Sequence, residues 1–427
     1  MDGISHQDHG GGLARARQLD EQDPLARFRD EFHLPRDGRG EPLLYLSGNS
    51  LGLQPKRTAA LVQAELEKWQ HSAVRGHFEG DYPWMPYHEF LTEPMADLVG
   101  ARPTEVVMMN SLTANLHFML ATFYKPTQKR HGLVIEYHSF PSDYHALESQ
   151  IRWHDLDPDQ SLVTLRPQYG SHEFMMSDIE QLLEDHGDEI SVMVLPGVQY
   201  YTGQVFPMAE ITRLAQRRGI IVGFDLAHAV GNVELQLHEW NVDFAVWCSY
   251  KYLNSGPGSV GGCFVHERHA TNRELHRLAG WWGHEKETRF QMENEFRPIP
   301  TAEGWQVSNP PILSLAAIRG SLEVFGEAGG MVALTNKSRQ LTGFLLSCLE
   351  SVGKDRIRVI TPADRGCQLS LEVTDVPGEG QQVHRKLQQA GVEADWREPN
   401  VIRVAPVPLY NTFEDVWRFS QILVECL

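Results

Sequence analysis

An alternation of short apolar runs and amphipathic helical stretches between about residues 111 and 264 constrains the fold most strongly. Apolar runs at 132–136 and 191–195, bounded by turn residues, are typical of buried parallel strands. Residues 208–218 carry the apolar spacing of a helix face, and the apolar run 220–224 follows, which predicts a βαβ crossover. We therefore predict an α/β fold with a mostly parallel sheet covered by helices, whose ligands bind beyond the carboxyl ends of the strands.

The pattern changes after the Asn309-Pro310-Pro311 segment. A helical tract at 313–348 is followed by strand-like runs at 356–360, 367–373 and 401–404. One more helical stretch lies among them, at 381–390. We predict a large domain over residues 21–310 and a smaller α+β carboxyl-terminal domain over 311–427. The first 20 residues contain acid, histidine and a glycine triplet, and we expect them to be disordered.

Composition excludes several classes of function. The chain has 427 residues, 38 Lys+Arg and 56 Asp+Glu, hence a formal charge of −18, which disfavours nucleic acid and anionic membranes as partners. No apolar run approaches the roughly 20 residues of a membrane span. The five cysteines are odd in number and form no CxxC pair, which suits a reducing compartment. The amino terminus does not resemble a signal peptide, so we expect a cytoplasmic protein.

The strongest chemical pattern pairs a lysine with an acid. Asp225 ends one predicted strand and His228 follows it, while Lys251 lies 26 residues after Asp225 (251 − 225 = 26) and precedes a Gly-rich loop. A lysine near an acid at the mouth of a sheet is the arrangement that a Schiff base with pyridoxal phosphate requires. Lys251 would then carry the imine and act as a general base, and Asp225 would keep the pyridine nitrogen protonated. Taken separately, a solvated lysine and a helix-capping aspartate would explain these residues equally well.

A phosphate site is predicted at the start of a neighbouring helix. Ser111 and Thr113 precede the apolar stretch 114–121, and a helix amino terminus offers N–H groups and a positive dipole end to an anion. A plain helix cap explains the same residues. Phe140 to Asp143 follow the 132–136 run and would bring an aromatic face and a carboxylate to the same edge of the sheet.

Several motifs along the chain resemble those of the kynureninase family. They are FPSD at 140–143, GFDLAHAVGN at 223–232, CSYKYLN at 248–254, GWWGHE at 280–285, SNPP at 308–311 and RVAPVPLYN at 403–411. The resemblance runs from about residue 45 to 419. It implies the aspartate-aminotransferase-like fold, fold type I of the pyridoxal-phosphate enzymes, in a homodimer.

The resemblance also implies roles for individual residues. It makes Lys251 and Tyr250 catalytic, with Tyr250 as a candidate proton relay, and Arg403 the clamp for the substrate α-carboxylate. His77, Ser50 and Asn309 are implied to lie near the substrate's aryl ring. The neighbouring subunit is implied to lend Trp281 and Asn309. The implied cofactor-binding residues are Leu112, Thr113, Phe140, Pro141, Ser142, Asp143, Asp225, His228, Tyr250, Lys251, Trp281 and Asn309.

The implied reaction is hydrolysis of the Cβ–Cγ bond of L-kynurenine or 3-hydroxy-L-kynurenine to an anthranilate and L-alanine, in tryptophan degradation or NAD biosynthesis. One departure is visible: Pro196 stands where many family members carry a hydroxyl residue, and proline offers neither a hydroxyl nor an N–H. Two alternatives stay open. A cysteine desulfurase or class V aminotransferase would keep Asp225 and Lys251, and a non-catalytic relative would need none of these residues. No HExxH spacing is present, so we expect no metal.

Overall fold

The computed structural model describes residues 9–350, 352, 356–373 and 379–427. The α-helices are α1 (His9–Glu21), α2 (Lys56–Ser72), α3 (Thr92–Val99), α4 (Leu112–Phe123), α5 (Pro141–Trp153), α6 (Pro158–Ser161), α7 (Met176–His186), α8 (Met208–Gln216), α9 (Glu267–Ala270), α10 (Ile312–Glu327), α11 (Gly330–Leu349), α12 (Glu379–Gln389) and α13 (Phe413–Cys426). The strands are β1 (Leu44–Tyr45), β2 (Val106–Met108), β3 (Gly132–Glu136), β4 (Leu162–Leu165), β5 (Ile190–Pro196), β6 (Ile221–Asp225), β7 (Phe244–Trp247), β8 (Gly262–Val265), β9 (Ile357–Val359), β10 (Leu369–Val373), β11 (Val392–Glu393), β12 (Asp395–Arg397) and β13 (Val401–Val404). Across these described parts of the chain, no helix combines the length and the apolar character needed to cross a bilayer.

The central sheet has seven strands in the order β2-β8-β7-β6-β5-β3-β4. Five neighbouring strands, from β7 to β4, run parallel, and helix α8 connects β5 to β6 as the predicted crossover. Their side chains are almost all buried between two layers of helices, which explains their continuous apolar sequences. The predicted α/β fold with a mostly parallel sheet is confirmed.

Strand β8 departs from the parallel arrangement. After β7 the chain turns back through the loop that carries Lys251, so β8 pairs antiparallel with β7 and with β2. The predicted Gly-rich loop lies in this reversal, where Gly256 and Gly258 adopt φ values of +93° and +68°. The reversal therefore presents Lys251 at the carboxyl edge of the parallel strands.

A second sheet forms the carboxyl-terminal part. Its strands follow the antiparallel order β12-β13-β10-β9, and a separate hydrophobic core is built from residues 341 onward together with Ala16, Leu44 and Leu46. The helical tract predicted at 313–348 is two helices, since the chain breaks at Gly329, where φ is +87°. Helix α10 packs against α2 and belongs to the core of the large sheet. A division of the chain near residue 310 stays a proposal.

The expectation of disorder over residues 1–20 is wrong for the part that the structure describes. Residues 9–21 form helix α1, which packs against α13. Asp20 accepts hydrogen bonds from the backbone N–H groups of Phe413 and Glu414, and Ala16 is fully buried. Tertiary contacts thus stabilise a helix that its three glycines disfavour. Residues 1–8 lie outside the described residues.

Candidate functional site

A cavity of about 130 Å³ opens where β3, β5 and β6 end. It is lined by Leu112, Thr113, Glu136, Phe140, Ser142, Asp143, Pro196, Val198, Tyr200, Asp225, Ala227, His228, Tyr250 and Lys251. The structure thus brings together most of the predicted cofactor-binding residues at the predicted edge of the sheet. We call this space the carboxyl-edge cavity.

Lys251 and His228 form the polar centre of the carboxyl-edge cavity. The Lys251 ammonium donates to His228 Nε2 over 3.0 Å and lies 5.7 Å from the centre of the Phe140 ring. Burial, and then the positive charge of Lys251, lowers the pKa of His228 well below its ordinary value, so this imidazole is neutral. Its Nδ1 atom is buried and has no hydrogen-bond partner among the residues that the structure describes.

Three carboxyl groups surround this centre, on Asp225, Asp143 and Glu136. Asp225 ends β6, accepts from the Ala227 N–H over 2.6 Å and is hydrogen-bonded to Asp143. Burial, together with repulsion between these groups, raises the pKa of Asp143 well above its ordinary value, and Glu136 shifts in the same direction for the same reasons. Burial also raises the pKa of Asp225, although Asp143, the Ala227 N–H and Lys251 oppose the increase. The upward shift of the pKa is the larger at Asp143, so Asp143 is the member of the pair that more readily holds a proton.

Helix α4 presents its amino terminus to the carboxyl-edge cavity. Leu112 and Thr113 occupy its first turn, and Thr113 Oγ1 lies 2.7 Å from Ser142 Oγ. Ser111 stands at the N-cap but its side chain makes no capping hydrogen bond. The unpaired N–H groups of this turn and two adjacent hydroxyls form a cradle suited to a phosphate.

Arg403 lies behind the carboxyl-edge cavity and does not line it. Its side chain is 1 % exposed, and its NH1 group donates to the Tyr200 carbonyl over 2.6 Å. Tyr200 lines the cavity, and its ring meets Phe140 edge-on at 5.5 Å. The predicted carboxylate clamp is therefore next to the cavity, with Tyr200 between them.

Five other predicted site residues do not line the carboxyl-edge cavity of this chain. Pro141 begins α5 and faces a neighbouring groove. Trp281 borders a different surface pocket and donates its indole N–H to the Arg289 carbonyl over 2.9 Å. Ser50 and Asn309 are exposed, and His77 is half-buried against Trp84, with ring centres 5.3 Å apart. Their functional roles stay predictions.

Sequence reasoning missed four residues that line the carboxyl-edge cavity: Glu136, Val198, Tyr200 and Ala227. Glu136 had a usable signal, since it is the last residue of an otherwise apolar strand at the edge where ligands bind. Pro196, set aside as unable to hold phosphate, also lines the cavity and pairs with Asp225 in the sheet.

A second group of buried polar side chains lies at the opposite edge of the sheet. We call Glu105, His238, Asp243, His266 and His269 the amino-edge cluster. Glu105 accepts from the N–H of Glu267 over 2.8 Å, from the N–H of Arg102 over 2.9 Å and from His238 over 3.0 Å. His266 stacks on His238 and accepts from the N–H of Arg268.

Glu105, His238 and His266 lie close enough together to hold a metal ion. Their ligand atoms are, however, already engaged in these hydrogen bonds, so we interpret them as a structural network.

Asp243 in the amino-edge cluster has donors at both carboxylate oxygens. Val222 N–H and Gln216 donate to Oδ2, and Arg268 and His269 donate to Oδ1, over 2.5 to 3.0 Å. Burial alone would raise the pKa of Asp243, but the His269 hydrogen bond and the Arg268 charge hold it below the ordinary value. These donors thus stabilise the charged form of a buried acid.

Comparison with known proteins identifies the family. The kynureninase C-terminal domain profile matches residues 334–423, and the class I and II aminotransferase profile matches residues 45–246. Curated relatives named kynureninase include one from Koribacter versatilis, 51 % identical over 412 residues, and one from Xanthomonas campestris pv. campestris, 52 % identical over 411 residues. Each alignment covers 96 % of this chain and 96 % of the relative.

Solved structures support the fold. The cysteine desulfurase CsdA from Escherichia coli matches with a TM-score of 0.74 at 16 % identity, over 94 % of this chain and 97 % of that one. The cystine C-S lyase C-DES, in complex with cysteine persulfide, matches with a TM-score of 0.73 at 15 % identity, over 90 % and 97 %. At this identity the likeness concerns the fold alone. With sequence identity near one half over almost its whole length and a lysine–carboxylate cavity at the expected edge of the sheet, the chain belongs to the kynureninase family.

Proposed function

We propose that this chain hydrolyses the Cβ–Cγ bond of L-kynurenine or its 3-hydroxy form, giving anthranilate or 3-hydroxyanthranilate and L-alanine. Membership of the kynureninase family makes the chain an enzyme that cleaves carbon–carbon bonds by hydrolysis. The observation that supports the residue assignment is the placement of Lys251 beside the hydrogen-bonded Asp143–Asp225 pair at the carboxyl edge of the sheet.

The cofactor is pyridoxal phosphate, and the residues of the carboxyl-edge cavity fit it. Lys251 offers the amine, Asp225 a carboxyl group for the pyridine nitrogen, and Thr113 with the α4 terminus a cradle for phosphate. His228 Nδ1 and Asp143 Oδ1 are buried polar atoms that find no hydrogen-bond partner within the described part of the chain, as expected where a polar group is to be received. When bound, the cofactor supplies an electron sink for charge that develops at the substrate's Cα and Cβ.

Lys251 and Tyr250 would carry the proton transfers. Lys251 would take the proton from the substrate's Cα, and its contact with the neutral His228 provides a polar neighbour that does not compete for that proton. Tyr250 lines the same cavity, and burial raises the pKa of its hydroxyl, so the hydroxyl keeps its proton at neutral pH and would give it up only to a strongly basic centre, such as the charge that develops at Cβ. Water adds to the Cγ ketone, the Cβ–Cγ bond breaks, and Cβ takes up a proton.

Substrate binding would involve Arg403 and a second copy of the chain. Arg403 would hold the α-carboxylate, and His77, Ser50 and Asn309 would approach the aryl ring. Because Trp281 and Asn309 do not line the cavity of their own chain, we infer a homodimer in which each copy supplies them to the other. The exposed apolar side chains of Trp69, Val74 and Phe78 support the inferred homodimer, because a second copy would cover them. We also propose a cytoplasmic location, which a cysteine content suited to a reducing compartment supports.

A cysteine desulfurase is disfavoured by the environment of Cys367. That activity needs a reactive thiolate on an accessible loop. Cys367 is 1 % exposed, and burial raises the pKa of its thiol to about 12. The thiol is therefore protonated and shielded at neutral pH.

The test is a fluorescence assay of the purified chain with added pyridoxal phosphate. We expect anthranilate from L-kynurenine and 3-hydroxyanthranilate from 3-hydroxy-L-kynurenine, each with one L-alanine per turnover. We further expect the hydroxylated substrate to be used at least as well, because His77 and Asn309 can hydrogen-bond a ring hydroxyl. Release of sulfur from L-cysteine without kynurenine cleavage would contradict the proposal.

A further inference from the structure

Arg403 is held at two points by groups from different parts of the chain. It lies on β13, and Asp395 on β12 is its direct cross-strand partner. One terminal nitrogen of Arg403 donates to Asp395 Oδ2, and the other donates to the Tyr200 carbonyl beside the carboxyl-edge cavity. Gln368 donates to the same carbonyl over 3.0 Å, which fixes the Tyr200 backbone as well.

Two guanidinium groups share the carboxylate of Asp395. Burial lowers the pKa of the Arg403 guanidinium, and the nearby carboxylate of Asp395 opposes that shift. Arg397 also donates to Asp395 Oδ2, over 3.1 Å. The Arg397 side chain is partly exposed to solvent, whereas Arg403 is buried, so Asp395 is the group that balances the buried charge of Arg403.

Arg403 also keeps an unused donor. A guanidinium has five N–H groups in a rigid plane, and the two hydrogen bonds above fix that plane. The Nε atom of Arg403 is buried and has no hydrogen-bond partner among the described residues. Buried donors without partners are uncommon in folded proteins, so this N–H is available to a further acceptor.

We propose that Asp395 is a positioning residue: it holds the Arg403 guanidinium in the plane in which its free N–H groups meet the substrate's α-carboxylate. This inference rests on the proposed function, because it concerns the substrate carboxylate of the same site. Asp395 touches Arg403 and Arg397 and acts on the substrate through Arg403. Without its charge, the guanidinium keeps only the Tyr200 carbonyl as an anchor.

The test compares Asp395→Asn with the wild-type holoenzyme and with Glu398→Gln. Asparagine has the shape of aspartate without its charge, and Glu398 is an exposed acid on the same segment that contacts Trp396. For Asp395→Asn we expect KM for L-kynurenine to rise about 10- to 100-fold while kcat changes less than about fivefold, as fits the loss of one charge-assisted hydrogen bond. The Glu398→Gln enzyme is expected to match the wild type.

Binding of two small probes separates positioning from general damage. Absorbance titration of each holoenzyme gives dissociation constants for L-alanine, which has the carboxylate, and for L-alaninamide, which lacks its charge. We expect Asp395→Asn to weaken L-alanine about 10- to 100-fold and L-alaninamide less than about threefold. Equal weakening of both probes, or none of either, would overturn the inference.

Two further outcomes keep the inference decidable. If Asp395→Asn does not fold, Asp395→Glu retains the charge, and we expect its KM and L-alanine affinity to lie within about fivefold of wild type; a larger loss confined to kcat overturns the inference. Failure of the proposed function looks different, since the wild-type chain itself would then not cleave kynurenine.

Discussion

The carboxyl-edge cavity and the amino-edge cluster lie at opposite edges of the same sheet, and both bury acids beside histidines. In the amino-edge cluster, Asp243 receives donors on both oxygens, and its pKa lies below the ordinary value. In the carboxyl-edge cavity, Asp143 retains an oxygen without a partner, and its pKa lies well above the ordinary value. Burial acts in the same direction at both edges, so the neighbours cause the difference: hydrogen-bond donors and a positive charge surround Asp243, whereas other carboxyl groups repel the charge of Asp143.

This difference indicates which edge performs chemistry. A network whose members satisfy one another stabilises the fold and has nothing left to offer a ligand. A cavity with unpaired polar atoms and several acids around one lysine is costly until a ligand completes it. Perturbed groups in a cleft are thus evidence for a functional site, whereas the similar residue types at the amino edge are structural.

The largest expected difference between the two edges is in catalysis. Asp225→Asn keeps the Oδ1 acceptor for the Ala227 N–H but removes the charge that pairs with the pyridine nitrogen. We expect kcat/KM for L-kynurenine to fall about 100- to 1000-fold, as for loss of one preorganised electrostatic partner. Asp243→Asn, the matched change at the amino edge, is expected to stay within about threefold of wild type. A similar loss in both variants would remove the distinction between the edges.

The second-largest effect is on stability, and here the amino edge is the more sensitive of the two. Asp243→Asn removes the buried negative charge beside Arg268 and His269 and replaces one of the two acceptor oxygens by an NH2 donor, so we expect the free energy of unfolding to fall by about 3–5 kcal/mol in urea titrations. Because the pKa of Asp243 is lowered on folding from 3.8, its contribution is present above that value and is lost as the pH falls further. The difference in unfolding free energy between the variant and the wild type should therefore be constant near neutral pH and become smaller in acid. A difference in unfolding free energy that grows in acid would contradict a lowered pKa of Asp243.

The smallest effect should be a gain in stability at the carboxyl edge. Because folding raises the pKa of Glu136 above 4.5, the wild-type chain loses stability as the pH rises from that value through the folded pKa. Glu136→Gln has no charge to bury. We therefore expect its free energy of unfolding to exceed that of the wild type by about 1 kcal/mol at pH 8 and to equal it at pH 4. Thermal unfolding of the cofactor-free chain measures this, with the exposed Glu180→Gln as control. A destabilised Glu136→Gln at pH 8 would show that Glu136 is ionised and paired.

The sequence was sufficient for much of this account. The apolar runs predicted β3, β5 and β6 within one or two residues, because strands buried on both faces have no polar alternation to obscure them. Asp225 and Lys251 could be paired because both follow strands that end at one edge.

Other features depend on long-range contacts that local patterns do not carry. Helix α1 owes its order to Asp20 and Ala16 meeting α13, almost 400 residues away, which no local propensity reveals. The pairing of Arg403 with Asp395 depends on the register of β12 and β13, strands too short for periodicity to predict. Trp281 and Asn309 are assigned through the family resemblance, and the single chain does not bring them to the cavity.

We propose that pyridoxal phosphate is joined to Lys251 in the carboxyl-edge cavity. Borohydride reduces the carbon–nitrogen double bond of such a link to a stable amine, which mass mapping of peptides can locate. We expect one pyridoxyl group per chain, on the peptide that contains Lys251, and none after Lys251→Ala. An active enzyme whose label lies on another lysine, or which takes no label, would contradict it.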